Sequence, residues 1–259
     1  MTRTIELFKN QENILTAFLV LGDPSPTEFV DLALACLDAG VDSLEIGLPF
    51  SDPTADGPTI QKSHYRALKR NLTFKKELDC LKSLRRQTEA PIGLLTYVQR
   101  SFSVGHKTFL KKIVDAGVDN VLFADSPFDV DTELTQLILQ SPLDNIGLIA
   151  PNTSKSRIKD IEKNSSAYLY GVSLLGVTGA REKLLPKQKT CLKRWSQVTK
   201  LPVMAGFGLS SPSQLKEVYS CGIQAAVIGS AGVKLLEEKK RSVRLKKISE
   251  FYAHCATAK

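Results

Sequence analysis

No apolar run in this chain approaches the ~20 residues that a membrane-spanning helix needs, which argues against a membrane protein. The opening segment from Met1 to Lys9 alternates charged and apolar residues. It lacks the apolar core of a signal peptide and reads instead as a short amphipathic helix. The three histidines, His64, His106 and His254, stand far apart in the sequence and suggest no metal cluster. The five cysteines (Cys36, Cys80, Cys191, Cys221, Cys255) are odd in number, include no Cys-x-x-Cys pair and fall in segments that read as helix. This pattern argues against a disulfide framework or zinc site and points to a reducing, cytoplasmic setting. There is also no linker, no low-complexity run and no shift in composition to mark a domain boundary.

What is present is ordinary for a globular protein able to bury a full core: 259 residues, 42% hydrophobic and 24% charged. The net charge of +8 raises nucleic acid as a partner. The basic residues are dispersed, however, and the densest cluster, Glu237 to Lys247, mixes signs. It reads as a solvated helix face, so no nucleic-acid partner is expected. A loose internal repeat is more informative. Leu-Asp-Ala-Gly-Val-Asp-Ser-Leu-Glu-Ile-Gly (37–47) is echoed by Val-Asp-Ala-Gly-Val-Asp-Asn-Val-Leu-Phe-Ala (114–124) and by Ser-Cys-Gly-Ile-Gln-Ala-Ala-Val-Ile-Gly (220–229). Each copy is an amphipathic stretch ending at Gly40, Gly117 or Gly222, where glycine can take the left-handed C-cap conformation. A short β-rich apolar run follows each glycine. Leu15 to Leu21, Pro91 to Thr96, Asn145 to Ala150, Ala167 to Val172 and Leu201 to Ala205 look the same, making eight strand candidates.

Helical patterns separate these runs: Thr27–Ala39, Thr73–Gln87, Lys107–Ala116, Thr132–Gln140, Lys187–Thr199 and Pro212–Ser220. Strict βα alternation predicts a parallel sheet with right-handed crossovers. Eight units of ~32 residues fit a single (β/α)₈ TIM barrel with a short N-terminal helix, spanning residues 1–259 as one domain. An open doubly wound sheet is the other reading, but no Gly-x-Gly-x-x-Gly follows the first strand. A barrel carries its chemistry at the C-terminal ends of the strands. Side chains alternate along a strand, so Leu44 and Ile46 turn toward the helices and Glu45 into the barrel mouth. Read from the residues alone, Glu45 serves equally as a buried carboxylate satisfied by its neighbours or as an acid–base group, and Asp56 reads as an Asp-Gly-Pro turn residue. Gly179, Gly208 and Gly229 allow close approach of backbone amides to an anion, and Ser230 can open a short helix beside them. Each glycine taken singly reads as turn geometry.

The segment from Leu44 to Gln61, Leu-Glu-Ile-Gly-Leu-Pro-Phe-Ser-Asp-Pro-Thr-Ala-Asp-Gly-Pro-Thr-Ile-Gln, resembles the signature of the tryptophan synthase α family. The resemblance continues through Leu21-Gly22-Asp23-Pro24, Gly93 to Tyr97, Gly176-Val177-Thr178-Gly179, Ala205 to Pro212 and Ile228 to Ala231, essentially the whole chain. It implies a cytoplasmic lyase that splits indole-3-glycerol phosphate into indole and glyceraldehyde 3-phosphate in tryptophan biosynthesis. By this resemblance Glu45 is the catalytic acid–base, and Asp56 holds the indole N–H and stabilises charge on the protonated ring. Phe18, Tyr97, Leu122, Tyr170, Thr178 and Phe207 would bind the substrate, with Leu95 and Leu148 at the same depth. Gly179, Gly208, Gly229 and Ser230 would bind its phosphate. No metal or cofactor is expected in this chain. The implied partner is a β subunit carrying pyridoxal phosphate, in an allosteric α₂β₂ complex.

The sequence also departs from that family pattern. Leu174 and Leu175 stand where an Arg-Ser pair is common before Gly176, Gly171 replaces a usual leucine, and Gln99 replaces an asparagine on a partner-facing loop. A loop that closes over substrate depends on its base. These departures therefore motivate a second reading, an impaired α-type subunit that mainly binds and activates the β subunit. A third, a phosphate-binding isomerase barrel, fits the glycines but not the segment from Pro49 to Gly57.

Overall fold

The computed structural model describes residues 1–172, 183–206 and 208–259. The repeat seen in the sequence folds as one unit at each copy. Helices α2 (Pro26–Asp38), α6 (His106–Asp115) and α10 (Pro212–Tyr219) run into Gly40, Gly117 and Gly222, whose φ angles are 96°, 88° and 80°. Only glycine takes this conformation without strain. In the first two copies the chain closes a Schellman turn, the Val41 amide donating to the Cys36 carbonyl and the Val118 amide to that of Ile113, each at 3.2 Å.

Among the described residues nine parallel strands form one sheet: β1 (Ile14–Val20), β2 (Ser43–Gly47), β3 (Ile92–Thr96), β4 (Asn120–Phe123), β5 (Asp144–Asn145), β6 (Gly147–Ile149), β7 (Leu169–Val172), β8 (Val203–Gly206) and β9 (Ala225–Ile228). Their order is β5-β4-β3-β2-β1-β9-β8-β7-β6. The two ends of that order are consecutive pieces of one segment. β5 pairs with β4, β6 pairs with β7, and Ile146 between them donates its amide to the Val121 carbonyl at 3.0 Å. The segment crosses from one neighbour to the other and so closes the ring. This is why the single strand expected over Asn145–Ala150 divides in two and the expected eight strands become nine.

The core has two layers, as strand alternation predicts. Leu44, Ile46, Leu94 and Val121 pack outward against the helices, whereas Phe18, Leu95, Leu122, Tyr168, Tyr170, Met204 and Val227 fill the barrel. Helix α1 (Arg3–Asn10) plugs the bottom. Phe8 stacks on Tyr168 with ring centroids 5.0 Å apart, and Asn120 donates to the Thr4 hydroxyl at 2.9 Å. Among the described residues no helix is long and apolar enough to cross a membrane.

Three elements were not anticipated: α3 (Pro58–Leu68), α5 (Val98–Phe102) and α8 (Lys155–Lys163), whereas α4 (Phe74–Arg85), α7 (Thr132–Leu139) and the short α11 (Ser230–Leu235) fall where helices were expected. α5 takes in most of the segment read as a loop carrying Gln99. All five cysteines are free, but Cys221 lies in the turn beyond α10 rather than in a helix. The basic cluster expected as a helix over Glu237–Lys247 becomes helical only at α12 (Arg241–Ala256).

Gly171 has a packing explanation. It faces the helix layer, where a Cβ would come 2.4 Å from Cζ3 of Trp195 on α9 (Pro186–Val198). The indole of Trp195, 1% exposed, fills the volume that a leucine at 171 would take. Gly171→Leu should therefore destabilise the fold by ~1–3 kcal/mol through overpacking, read as a lower midpoint in urea unfolding. An unchanged midpoint would show that Trp195 moves aside freely.

Candidate active site

Glu45 sits near the C-terminal end of β2, paired in register with Phe18 of β1 and Gly93 of β3. It points into the barrel and is 4% exposed. The Tyr170 hydroxyl donates to its Oε2 at 3.1 Å. Room for the tyrosine comes from Gly206, where a Cβ would lie 2.3 Å from the ring. Burial pushes the Glu45 carboxyl up to about 8. The Tyr170 hydrogen bond opposes that rise and the nearby Asp56 charge adds to it. Glu45 is thus mainly protonated at neutral pH, poised to give a proton.

Asp56 lies in the loop between β2 and α3. The loop is held by backbone contacts, with the Asp56 amide donating to the Pro53 carbonyl at 3.0 Å and Gln61 Nε2 donating to the Asp56 carbonyl at 2.8 Å. Its carboxylate Oδ2 accepts a 2.7 Å hydrogen bond from the Tyr97 hydroxyl. That hydroxyl also accepts the Ala55 amide at 3.2 Å, and the Tyr97 ring stacks on Phe50 at 4.8 Å. Burial, reinforced by Asp56, holds the Tyr97 hydroxyl well above its ordinary range, so it remains a donor. His64 of α3, which the sequence reading passed over, places Nε2 3.3 Å from the same Asp56 oxygen. Nothing in the spacing of the sequence marked it, because the contact depends on how α3 packs back over β2.

The fold therefore brings Phe18, Leu95, Leu122 and Tyr170 together around Glu45, with Leu148 packed against them and Tyr97 on Asp56. Gly229 caps α11, and a Cβ there would lie 3.8–3.9 Å from Phe18 and 3.6 Å from Ile60. Gly208 is exposed at φ 53°, with open space beside it. Because β8 and β9 are neighbours, Gly208, Gly229 and Ser230 share the rim around this mouth. Thr178, Gly179, Phe207, Leu174 and Leu175 lie outside the described residues.

Among the described residues no group of three or more His, Cys, Asp or Glu side chains could hold a metal. A separate cavity of about 220 Å³ opens between β4, β6 and α8, lined by Phe123, Phe128, Leu148 and Ile161. Neither Glu45 nor Asp56 lines it, and two of its polar neighbours are already paired: Asn145 with the Asn164 carbonyl and Arg157 with Asp129. The chemistry sits with Glu45. A raised buried acid, an aspartate held by the Tyr97 hydroxyl and an apolar, aromatic wall together suit proton transfer to a flat ring on which positive charge develops.

The family model described as tryptophan synthase alpha chain matches residues 5–259. The chain is similar to the tryptophan synthase alpha chain of Petrotoga mobilis, 35% identical over 255 residues that cover 97% of each chain. That of Desulfatibacillum aliphaticivorans is 40% identical over 227 residues, 88% of this chain and 85% of the relative. Among solved structures, a chain of the tryptophan synthase α₂β₂ complex from Pyrococcus furiosus superposes with a TM-score of 0.89 at 34% identity, covering 95% of this chain and 98% of that one.

Proposed function

The chain belongs to the tryptophan synthase alpha chain family, and from that premise we propose that its barrel mouth cleaves indole-3-glycerol phosphate into indole and glyceraldehyde 3-phosphate. Membership makes it a lyase of tryptophan biosynthesis. The single observation that carries the exact reaction is the Glu45 carboxyl buried in the barrel mouth, held by the Tyr170 hydroxyl at 3.1 Å and pushed up by burial, with the Asp56 charge adding to the rise.

In the proposed cycle Glu45 gives its proton to C3 of the indole ring. Positive charge spreads to the ring nitrogen, whose N–H donates to the Asp56 carboxylate. Glu45, now a carboxylate, takes the proton of the glycerol hydroxyl next to the scissile bond. The oxygen electrons become the aldehyde C=O, and the C–C bond electrons return to the ring, restoring neutral indole. Glu45 ends protonated as it began, so protons balance without a cofactor in this chain. Phe18, Leu122, Tyr170 and Phe207 would sandwich the ring, and Thr178 would belong to the loop that closes over it. The phosphate would sit against backbone amides near Gly208, Gly229 and Ser230, with Gly179, outside the described residues, as the fourth expected contact.

The impaired-subunit reading has less support. Glu45 and Asp56 are both in place, and Gly171 is explained by Trp195 in the helix layer, on the far side of the sheet from the pocket. Indole release from indole-3-glycerol phosphate by the purified chain, alone and with a β subunit, tests the proposal. No release under either condition would overturn it.

By similarity to the P. furiosus complex, the proposed partner is a β-type subunit, which would carry the pyridoxal phosphate. The docking surface would include residues 53–58 and helix α5, where Phe102 is 69% exposed. Hydrogen exchange should slow in both segments when the β subunit is added. Protection confined to α1 and the bottom of the barrel would refute this arrangement.

A further inference from the structure

We propose that His64 is a positioning residue for Asp56, its Nε2–H aiming the carboxylate at the ring nitrogen of the substrate. The inference rests on the reaction proposed above but concerns a residue outside the pair expected to carry it. His64 is 1% exposed. The Phe50 amide donates to its Nδ1 at 3.2 Å. A ring nitrogen that accepts carries no proton, so in the neutral imidazole the proton is on Nε2. That nitrogen faces Asp56 Oδ2 at 3.3 Å, the oxygen that also receives the Tyr97 hydroxyl.

The Nε2–H is off line, and the buried nitrogen has no well-directed hydrogen-bond partner. An unmade buried donor is costly. A small shift of the Asp56 loop when the ring N–H binds would align it, as such bonds often tighten only in the complex. The imidazole also lies over the end of β2, with Cε1 3.7 Å from where a Cβ on Gly47 would stand. One ring thus adjoins the end of β2, the Phe50 amide and the Asp56 carboxylate. Once aligned, His64 would join the Tyr97 hydroxyl on Oδ2, leaving Oδ1 for the substrate.

A bland alternative is that His64 merely fills space and satisfies Phe50. That role needs only the acceptor at Nδ1, whereas positioning needs the donor at Nε2. Asparagine approximates the Nδ1 end of histidine and glutamine the Nε2 end, so His64→Asn and His64→Gln separate the two. Helix α3 does not depend on His64 for its place, since Arg66 forks onto Asp23 at 2.6 and 2.8 Å and Ser63 donates to the same aspartate.

Steady-state indole release, with thermal unfolding beside it, reads the outcome. His64→Gln should keep kcat within about threefold of wild type, while His64→Asn should lose about tenfold in kcat with KM within about twofold, the pattern of an interaction used in the transition state. Equal losses in both variants, or wild-type kcat in His64→Asn, would overturn the proposal. Nitrogen-15 correlation spectra of the wild-type imidazole give a second test that needs no variant. The Nε2–H tautomer is expected, and an Nδ1–H tautomer would overturn the proposal even if the variants failed to fold. Wild type and Asp56→Asn in the same assay separate the two ideas. An inactive wild type condemns the reaction and leaves the tautomer to decide on His64. An active wild type with Asp56→Asn impaired and His64→Asn intact condemns only the inference.

Discussion

Glu45→Gln is expected to lower kcat for indole release by about 10²–10⁴-fold, the range for loss of a positioned general acid–base. The amide keeps the shape of the side chain and can still meet the Tyr170 hydroxyl, but it cannot deliver a proton to C3 or collect one from the glycerol hydroxyl. The effect should fall on kcat rather than KM, because the proton moves only in the reaction. The pH dependence of wild type gives a second reading of the same group. With the carboxyl raised to about 8, the protonated form that starts the cycle is lost above that pH, so kcat/KM should fall on an alkaline limb near pH 8. Stability should respond in the matching sense. Below the unfolded-state value near 4.5 both states hold the proton and nothing is lost. Between 4.5 and about 8 the folded state binds more protons than the unfolded chain, so wild-type stability falls as pH rises through that window. Glu45→Gln has no such proton, and its Tm relative to wild type should rise from pH 5 to pH 8.5. Near wild-type turnover in the variant would remove Glu45 from the mechanism.

Asp56→Asn is expected to cut kcat by roughly 10²–10³-fold, the size of effect seen when a preorganised partner of developing charge is removed. With its oxygen still on the Tyr97 hydroxyl, the amide turns its NH₂ toward the ring N–H, so KM should rise as well. What is lost is the anion opposite a ring that becomes cationic as C3 is protonated. The Tyr97 hydroxyl, which donates to Oδ2 at 2.7 Å, can keep donating to the amide oxygen, so the loop should hold its course and Tm should change little. Removal of this anion should also lower the Glu45 carboxyl, because the Asp56 charge contributes to its rise. The residual activity of Asp56→Asn should accordingly show its alkaline limb at lower pH than wild type. A limb at the same pH, or turnover near wild type, would break the link between the two carboxylates.

The barrel was legible because its signals are local. Gly40, Gly117 and Gly222 each close a helix and release a strand, and they do so at positive φ in every copy. The direction of Glu45 was legible for a similar reason: Leu44 and Ile46 must face the helices, and alternation leaves Glu45 no other side. Asp56 was found through a resemblance rather than through its own neighbours, since an Asp-Gly-Pro turn looks the same with or without chemistry. The division of the fifth strand was not legible, because it records which neighbour the segment 144–149 pairs with, and pairing is a property of the closed sheet. The short helix α5 was missed for want of length, its five residues offering too little periodicity to read.

What the sequence determined by itself is the alternation of strands and helices, the face each strand buries, and the family to which the chain belongs. All of these follow from periods of two and 3.6 residues and from motifs contiguous along the chain. Only the tertiary structure decided how charge is set at the mouth. The rise of Glu45 comes from burial inside a closed ring and from an aspartate on a following loop, and Tyr170 reaches it from 125 positions away in the chain. Trp195 answers for Gly171 across the helix layer, and His64 meets Asp56 because α3 folds back over β2. Electrostatics and packing act through space over a few ångströms, and that proximity exists only once the barrel has closed.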